Sequence, residues 1–102
     1  MTTVSPDRQR IDKWLYFARV VKTRGLAVKL VTSGHARING EKKRTASATV
    51  RPGDTLTIVM PRRVLVFRVV GCGERRGSAS EAQLLYEDLS PPPIDTVPDR
   101  GF

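Results

Sequence analysis

The side chains able to do chemistry in this chain are mostly cations, and they are concentrated in its first half. Arg10 and Lys13 stand three apart; Arg19, Lys22 and Arg24 follow; Lys29, Arg37 and the run Lys42-Lys43-Arg44 complete the set. Guanidinium and ammonium groups at this density are suited to phosphate oxygens. Thr23 stands where a helix would begin, and its hydroxyl and the first free N–H groups of that helix together favour an anion. Any one of these cations alone would read as part of a solvated surface. Their segregation argues otherwise: residues 1–51 hold 12 basic and 3 acidic residues, whereas residues 52–102 hold 6 and 7. Charge placed only for solubility would not be sorted this way, so the basic half is read as a footprint for a polyanion.

Catalytic chemistry finds little support. The one histidine, His35, has no cysteine or carboxylate at metal-ligand spacing. Cys72 lies between glycines with Arg75 and Arg76 close by, which would favour a thiolate, but no base is near it in sequence. A passive thiol at a strand end is the expectation. Glu87 and Asp88 are adjacent, so on a helix they would diverge by about 100°. Gly71, Gly73 and Gly77 lack the strand–turn–helix setting and the lysine of a phosphate loop. No enzyme, metal or cofactor is expected.

The rest of the composition bounds the answer. At 102 residues with a net charge of +8, the chain has room for one small domain with a modest core. One cysteine excludes an internal disulfide and a cysteine-rich zinc site. No apolar run approaches the ~20 residues that span a bilayer, and the first residues lack the pattern of a secretory signal. The cytoplasm is the expected compartment, and no membrane partner is expected.

The elements that must position the cations follow from periodicity. Residues 1–9 read as a flexible leader. Ile11, Trp14, Leu15 and Ala18 share one helical face, with Lys13, Tyr16 and Val20 opposite. A second helix is predicted from an N-cap at Thr23 through Ser33, with Leu26, Ala27, Leu30 and Val31 as its apolar stripe and Gly34 ending it. Gly25 in its first turn weakens that helix. Asn39-Gly40 predicts a hairpin turn between His35–Ile38 and the basic return arm 41–44. Residues 45–50 read as an extended loop, and Arg51-Pro52-Gly53-Asp54 as a turn. Alternation predicts strands at 55–60 and 64–70, joined by a turn at 61–63. Ser78 and Glu81 form a capping box for a third helix that would carry Leu85 and Leu89 before Pro91-Pro92-Pro93 stops it. The fold class is α+β: two helices on a small antiparallel sheet, with a short C-terminal helix.

No helix offers the Asn, Gln and Arg pattern suited to a major groove, so RNA recognised by shape is favoured over DNA. Tyr16 and Phe17 are aromatic candidates for stacking on an unpaired base, although Phe17 could equally belong to the core.

Several segments together carry a resemblance. Arg10-Ile11-Asp12-Lys13-Trp14-Leu15, Lys22-Thr23-Arg24, Gly34-His35-Ala36-Arg37-Ile38-Asn39-Gly40 and Pro52-Gly53-Asp54 resemble the S-four RNA-binding domain, named for small-subunit ribosomal protein four. The stretch from Arg75 to Glu87 is similar to the C-terminal part of the stand-alone bacterial branch of that group, the heat-shock protein fifteen family. The likeness implies an RNA-binding unit at 10–71 and a helical extension at 72–90; the proline run itself predicts a mobile tail at 91–102. It implies that Arg10, Lys13, Thr23 and Arg24 touch RNA, while Asp12 orients a neighbouring arginine. It also implies ribosomal RNA on free large ribosomal subunits that hold a nascent chain on tRNA after aborted translation, with tRNA itself a candidate contact. A monomer is expected. The competing reading is a targeting module that acts in trans with an RNA-modifying enzyme, a pseudouridine synthase or methyltransferase.

Overall fold

The computed structural model describes residues 8–60 and 63–91. Its elements run β1 (Gln9–Arg10), α1 (Ile11–Phe17), α2 (Arg24–Thr32), β2 (Ala36–Ile38), β3 (Glu41–Lys43), β4 (Thr49–Val50), β5 (Thr55–Met60), β6 (Arg63–Val69), α3 (Ala79–Ala82), a 3-10 turn (Gln83–Leu85) and β7 (Tyr86–Asp88). The α+β class is as expected. A five-stranded antiparallel sheet in the order β3-β2-β5-β6-β7 carries the two long helices on one face, and β1 and β4 form a separate two-stranded pair.

Local chemistry explains each boundary. Gln9, placed in the leader by its sequence position, is instead buried and paired with Val50, which ties the start of α1 to the loop that follows the hairpin. The Thr23 hydroxyl accepts from the Leu26 N–H at 3.1 Å, an N-cap that satisfies one of the unpaired donors at the start of α2. Gly34, at φ +83°, takes the left-handed conformation that ends this helix. Asn39 (φ 53°) and Gly40 (φ 85°) are both left-handed, as the two central residues of a type I′ turn must be. The Asn39 amide then clips that turn to its neighbour: it donates to Asp54 Oδ1 at 3.1 Å and accepts from the Thr55 N–H at 2.9 Å.

The core lies between the helices and the sheet. Ile11, Trp14 and Leu15 of α1 and Ala27 and Val31 of α2 pack onto Leu56, Ile58, Phe67 and Val69, all buried. Trp14 is fully buried and its indole N–H donates to the Gly71 carbonyl at 2.9 Å, so the largest core side chain leaves no polar atom unsatisfied.

Four sequence expectations are corrected. Residues 49–50, read as loop, form β4 because β1 offers them a partner. The third helix stops at Ala82, although its Ser78 cap forms as predicted, with Ser78 Oγ accepting from the Glu81 N–H at 3.2 Å. Beyond the 3-10 turn the chain becomes a strand, because Tyr86 packs its ring against Phe67 (4.6 Å) and Trp14 (6.2 Å) and β7 pairs with the open edge of β6. Glu87 and Asp88 are therefore exposed residues of an edge strand, and Leu89, just beyond it, is exposed and seals no core. Leu26, placed in the apolar stripe of α2, is also exposed, because the buried side of α2 runs along Ala27 and Val31, with Leu30 partly buried beside them. The turn expected at Pro61 and Arg62, the leader before residue 8 and the tail after residue 91 lie outside the described residues.

Candidate nucleic-acid interface

Arg19 and Lys29 apart, the cations named from sequence fall into three groups. The first centres on Asp12. Its side chain is 2% exposed, yet it faces two arginines. Arg10 donates to it through Nε at 3.1 Å and Nη2 at 3.0 Å, in a two-pronged grip. Arg24, from the first position of α2, brings Nη2 to 3.5 Å of the same carboxylate. The Lys13 backbone N–H adds a third donor at 2.8 Å. Both arginines leave nearly half of their side-chain surface in water, 47% and 44%. One carboxylate on α1 thus aims two guanidinium groups outward, one from β1 just before that helix and one from the start of α2, with the exposed Thr23 and Lys22 beside them. Two cations against one carboxylate leave a net positive site that is held still.

The second group is on the hairpin. Arg44 lays its guanidinium over Gly34, where a Cβ would sit 3.2 Å from its Cζ, so it stands beside the C-terminal end of α2. Lys43 is ion-paired with Glu41 at 2.9 Å, which also holds the Glu41 carboxyl below its usual range.

The third group is separated from the other two. Ala36 and Ile38 face the core, so Arg37 between them points to the opposite face of the sheet. Lys42 is its direct cross-strand partner in β3 and shares that face. Two like charges in register oppose each other and cost stability unless an anion bridges them. The basic residues therefore form a helix-side cluster and a sheet-side pair rather than one continuous patch. Arg19 is placed differently again: it adopts a left-handed φ of 61° after α1 and gives a guanidinium nitrogen to the Gly77 carbonyl at 2.8 Å.

Tyr16 is not open to a base on both faces, because Arg76 lies 5.0 Å from its ring centroid and Phe17 packs at 5.9 Å. Between α2 and β5 runs an apolar groove lined by Val20, Leu26, Leu30 and Met60, with Lys22 and Lys29 at its rim. Among the described residues no three His, Cys, Asp or Glu side chains gather as metal ligands, and no helix is long and apolar enough to cross a membrane.

Comparison with known proteins bears on the same residues. The family model of the S4 domain matches residues 9–56, the span from β1 into β5 that holds the three cationic groups. The RQC P-site tRNA stabilizing factor of Bacillus subtilis is 37% identical over 60 residues, covering 59% of this chain and 69% of that protein. The chain belongs to the S4 domain family. Heat shock protein 15 of Escherichia coli (strain K12) is 39% identical over 81 residues, or 79% of this chain. The match spans 60% of the length of that relative. Among solved structures, a trimeric structure of Vibrio cholerae heat shock protein 15 superposes with a TM-score of 0.73 at 33% identity, covering 79% of this chain and 81% of the other.

The S4 match ends inside β5, but the structure adds two participants that sequence reasoning did not assign. Gln9 exchanges two hydrogen bonds with Gly73, Nε2 to the carbonyl at 2.8 Å and the Gly73 N–H to Oε1 at 3.2 Å. Arg76 donates to the carbonyls of Tyr16 at 3.3 Å and Val21 at 3.4 Å. In sequence, Arg76 is one of two adjacent arginines between glycine-rich stretches, and nothing in that pattern says which of the two turns inward.

Proposed function

We propose that this S4-domain protein is a non-catalytic RNA-binding protein of the cytoplasm that docks on ribosomal RNA of the large subunit. Its target is the subunit that still carries a nascent chain on tRNA after translation aborts, and its role is rescue or recycling of that subunit. The observation that carries the reading is the Arg10–Asp12–Arg24 cluster: a buried carboxylate holding two half-exposed arginines beside a Thr23-capped helix start is a preformed receptor for RNA phosphates. The residues proposed to touch RNA are Arg10, Lys13, Lys22, Thr23 and Arg24 on the helix side and Arg44 and Lys43 on the hairpin. Arg37 and Lys42 would meet a second stretch of backbone on the sheet side, and Arg19 would contribute its remaining donors. Residues 10–71 are the proposed binding unit.

Two relatives support the setting. One bears a name that describes stabilising P-site tRNA, and the other is named heat shock protein 15. A contact with tRNA on the occupied subunit is accordingly part of the proposal. Co-sedimentation with large subunits, empty or carrying peptidyl-tRNA, tests it at several salt concentrations. Preferential retention on the occupied subunit is expected. Equal retention on empty subunits and on arbitrary RNA would reduce the function to general RNA binding.

A further inference from the structure

Residues 71–77 run along the domain as a strap, joined to it by side chains from both sides. Trp14 donates to the Gly71 carbonyl, Gln9 pairs with Gly73, and Arg19 donates to the Gly77 carbonyl. From the strap itself, Arg76 sends its guanidinium back to the segment between the two long helices. Its Nε donates to the Tyr16 carbonyl at the end of α1, its Nη2 to the Val21 carbonyl just before Lys22, and its plane lies over the Tyr16 ring. Carbonyls at a helix end have no partner within the helix. One planar cation therefore ties the Tyr16 carbonyl of α1, which also accepts the Arg19 N–H at 3.1 Å, to the Val21 carbonyl, and holds the turn from which Lys22, Thr23 and Arg24 project. The same turn contains Arg19 with a left-handed φ, a conformation unfavourable for a non-glycine residue that persists only where surrounding bonds hold it.

We infer that Arg76, outside the S4 match, is a positioning residue for the RNA interface: it clamps the turn between α1 and α2 so that Lys22, Thr23 and Arg24 meet phosphate in one fixed arrangement. The inference rests on the RNA-binding reading above. Arg76 is half-buried and spends its donors on backbone, so it acts through the turn and not by touching RNA. Lysine cannot replace it, because an ammonium has no planar fork to span two carbonyls while lying on a ring.

The test is a set of Arg76→Ala, Arg76→Lys and Arg76→Gln proteins, each also combined with Lys22→Ala and with Lys42→Ala. Binding to large subunits carrying peptidyl-tRNA is read by co-sedimentation. Arg76→Ala is expected to weaken binding at least fivefold, and Arg76→Lys, which keeps the charge and the stem and so keeps the fold, is expected to give no rescue. In the Lys22→Ala background the loss should shrink, because one of the three positioned groups is already gone, while in the Lys42→Ala background it should remain complete. Full rescue by lysine, or equal losses in both backgrounds, would make Arg76 a direct charge contact and overturn the inference; unchanged affinity would overturn it as well. Amide hydrogen exchange in the free protein reads the clamp without RNA. Faster exchange at residues 19–23 in Arg76→Lys, with α1 unchanged, is expected, and unaltered exchange there contradicts the clamp. If the unaltered protein bound no subunit while exchange still responded to Arg76, the RNA-binding reading would fail and the clamp would stand as a structural feature only.

Discussion

Arg24, at the first position of α2, lies 3.5 Å from the buried carboxylate of Asp12 on α1, which Arg10 already holds at 3.0 Å. The relationship makes an acidic residue an organiser of a cationic surface. Asp12→Asn raises the net charge by one, so a purely electrostatic account expects tighter RNA binding. Several-fold weaker binding is expected instead, because both arginines lose the partner that aims them. Breaking a buried charged hydrogen-bond set costs about 1–3 kcal/mol, discounted here toward the lower end because the arginines are half in water. Thermal unfolding and subunit co-sedimentation of the same variant check the two parts.

Gly25 is a helix position with room to spare. A Cβ there would meet only Thr23 Oγ1, at an ordinary 3.9 Å. Gly25→Ala should stabilise the protein by about 0.5–1 kcal/mol through helix propensity. Chemical denaturation measures the gain, and RNA affinity should stay within twofold.

Much of this region is legible in the residues themselves. Thr23 and Gly34 mark the ends of α2 by capping chemistry, and Asn39-Gly40 names its turn type by tolerance of positive φ. The residues that escape are those whose state is decided by distant partners. Thr49 and Val50 are too few to show a period, and only Gln9 and Arg10 make them a strand. Ser78 and Glu81 do start a helix, but Tyr86 is drawn into the sheet by Phe67 and Trp14, which local spacing cannot reveal. Arg76 is in the same class: its two acceptors are backbone carbonyls far away in sequence, and carbonyls leave no signature in residue type.

Arg37 and Lys42 sit directly opposite each other across the β2–β3 hairpin. Arg37→Glu replaces repulsion with an opposite-charge pair and should stabilise the free protein by about 0.2–1 kcal/mol. The same change should weaken RNA binding, because the pair then presents no net charge to a phosphate. Denaturation and co-sedimentation should therefore move in opposite directions; tighter binding would exclude the sheet side from the interface.

At the far edge of the sheet, Ser90 stands in for a missing ladder rung. Its Oγ accepts from the Val66 N–H at 2.9 Å, and its own N–H donates to Asp88 Oδ1 at 2.9 Å. Hydrogen bonds from the Ser90 side chain and backbone hold the Asp88 carboxyl below its usual range. A lowered folded-state pKa contributes stability at pH values above the ordinary carboxylate range, and that contribution is lost as pH falls through the folded value. Ser90→Ala should therefore lower stability more at neutral pH than in acid, where only the loss of its bonds to Val66 remains. Unfolding midpoints of the two proteins measured from pH 7 to pH 2 should draw closer together; parallel curves would mean that Asp88 takes no part.

The central claim, a preformed phosphate receptor on the helix side, is tested most directly by charge reversal at two places with one measurement. The salt dependence of binding to large subunits carrying peptidyl-tRNA is recorded for the unaltered protein, Arg24→Glu and Arg100→Glu. Every phosphate that a variant no longer neutralises lowers the slope of log affinity against log salt by ~0.7–0.9. Arg24→Glu should bind far more weakly, with a slope reduced by the equivalent of at least one phosphate, while Arg100→Glu should differ little from the unaltered protein. Equal losses from the two reversals would show that bulk charge alone drives binding and would contradict the assignment of the Asp12-centred cluster as the site.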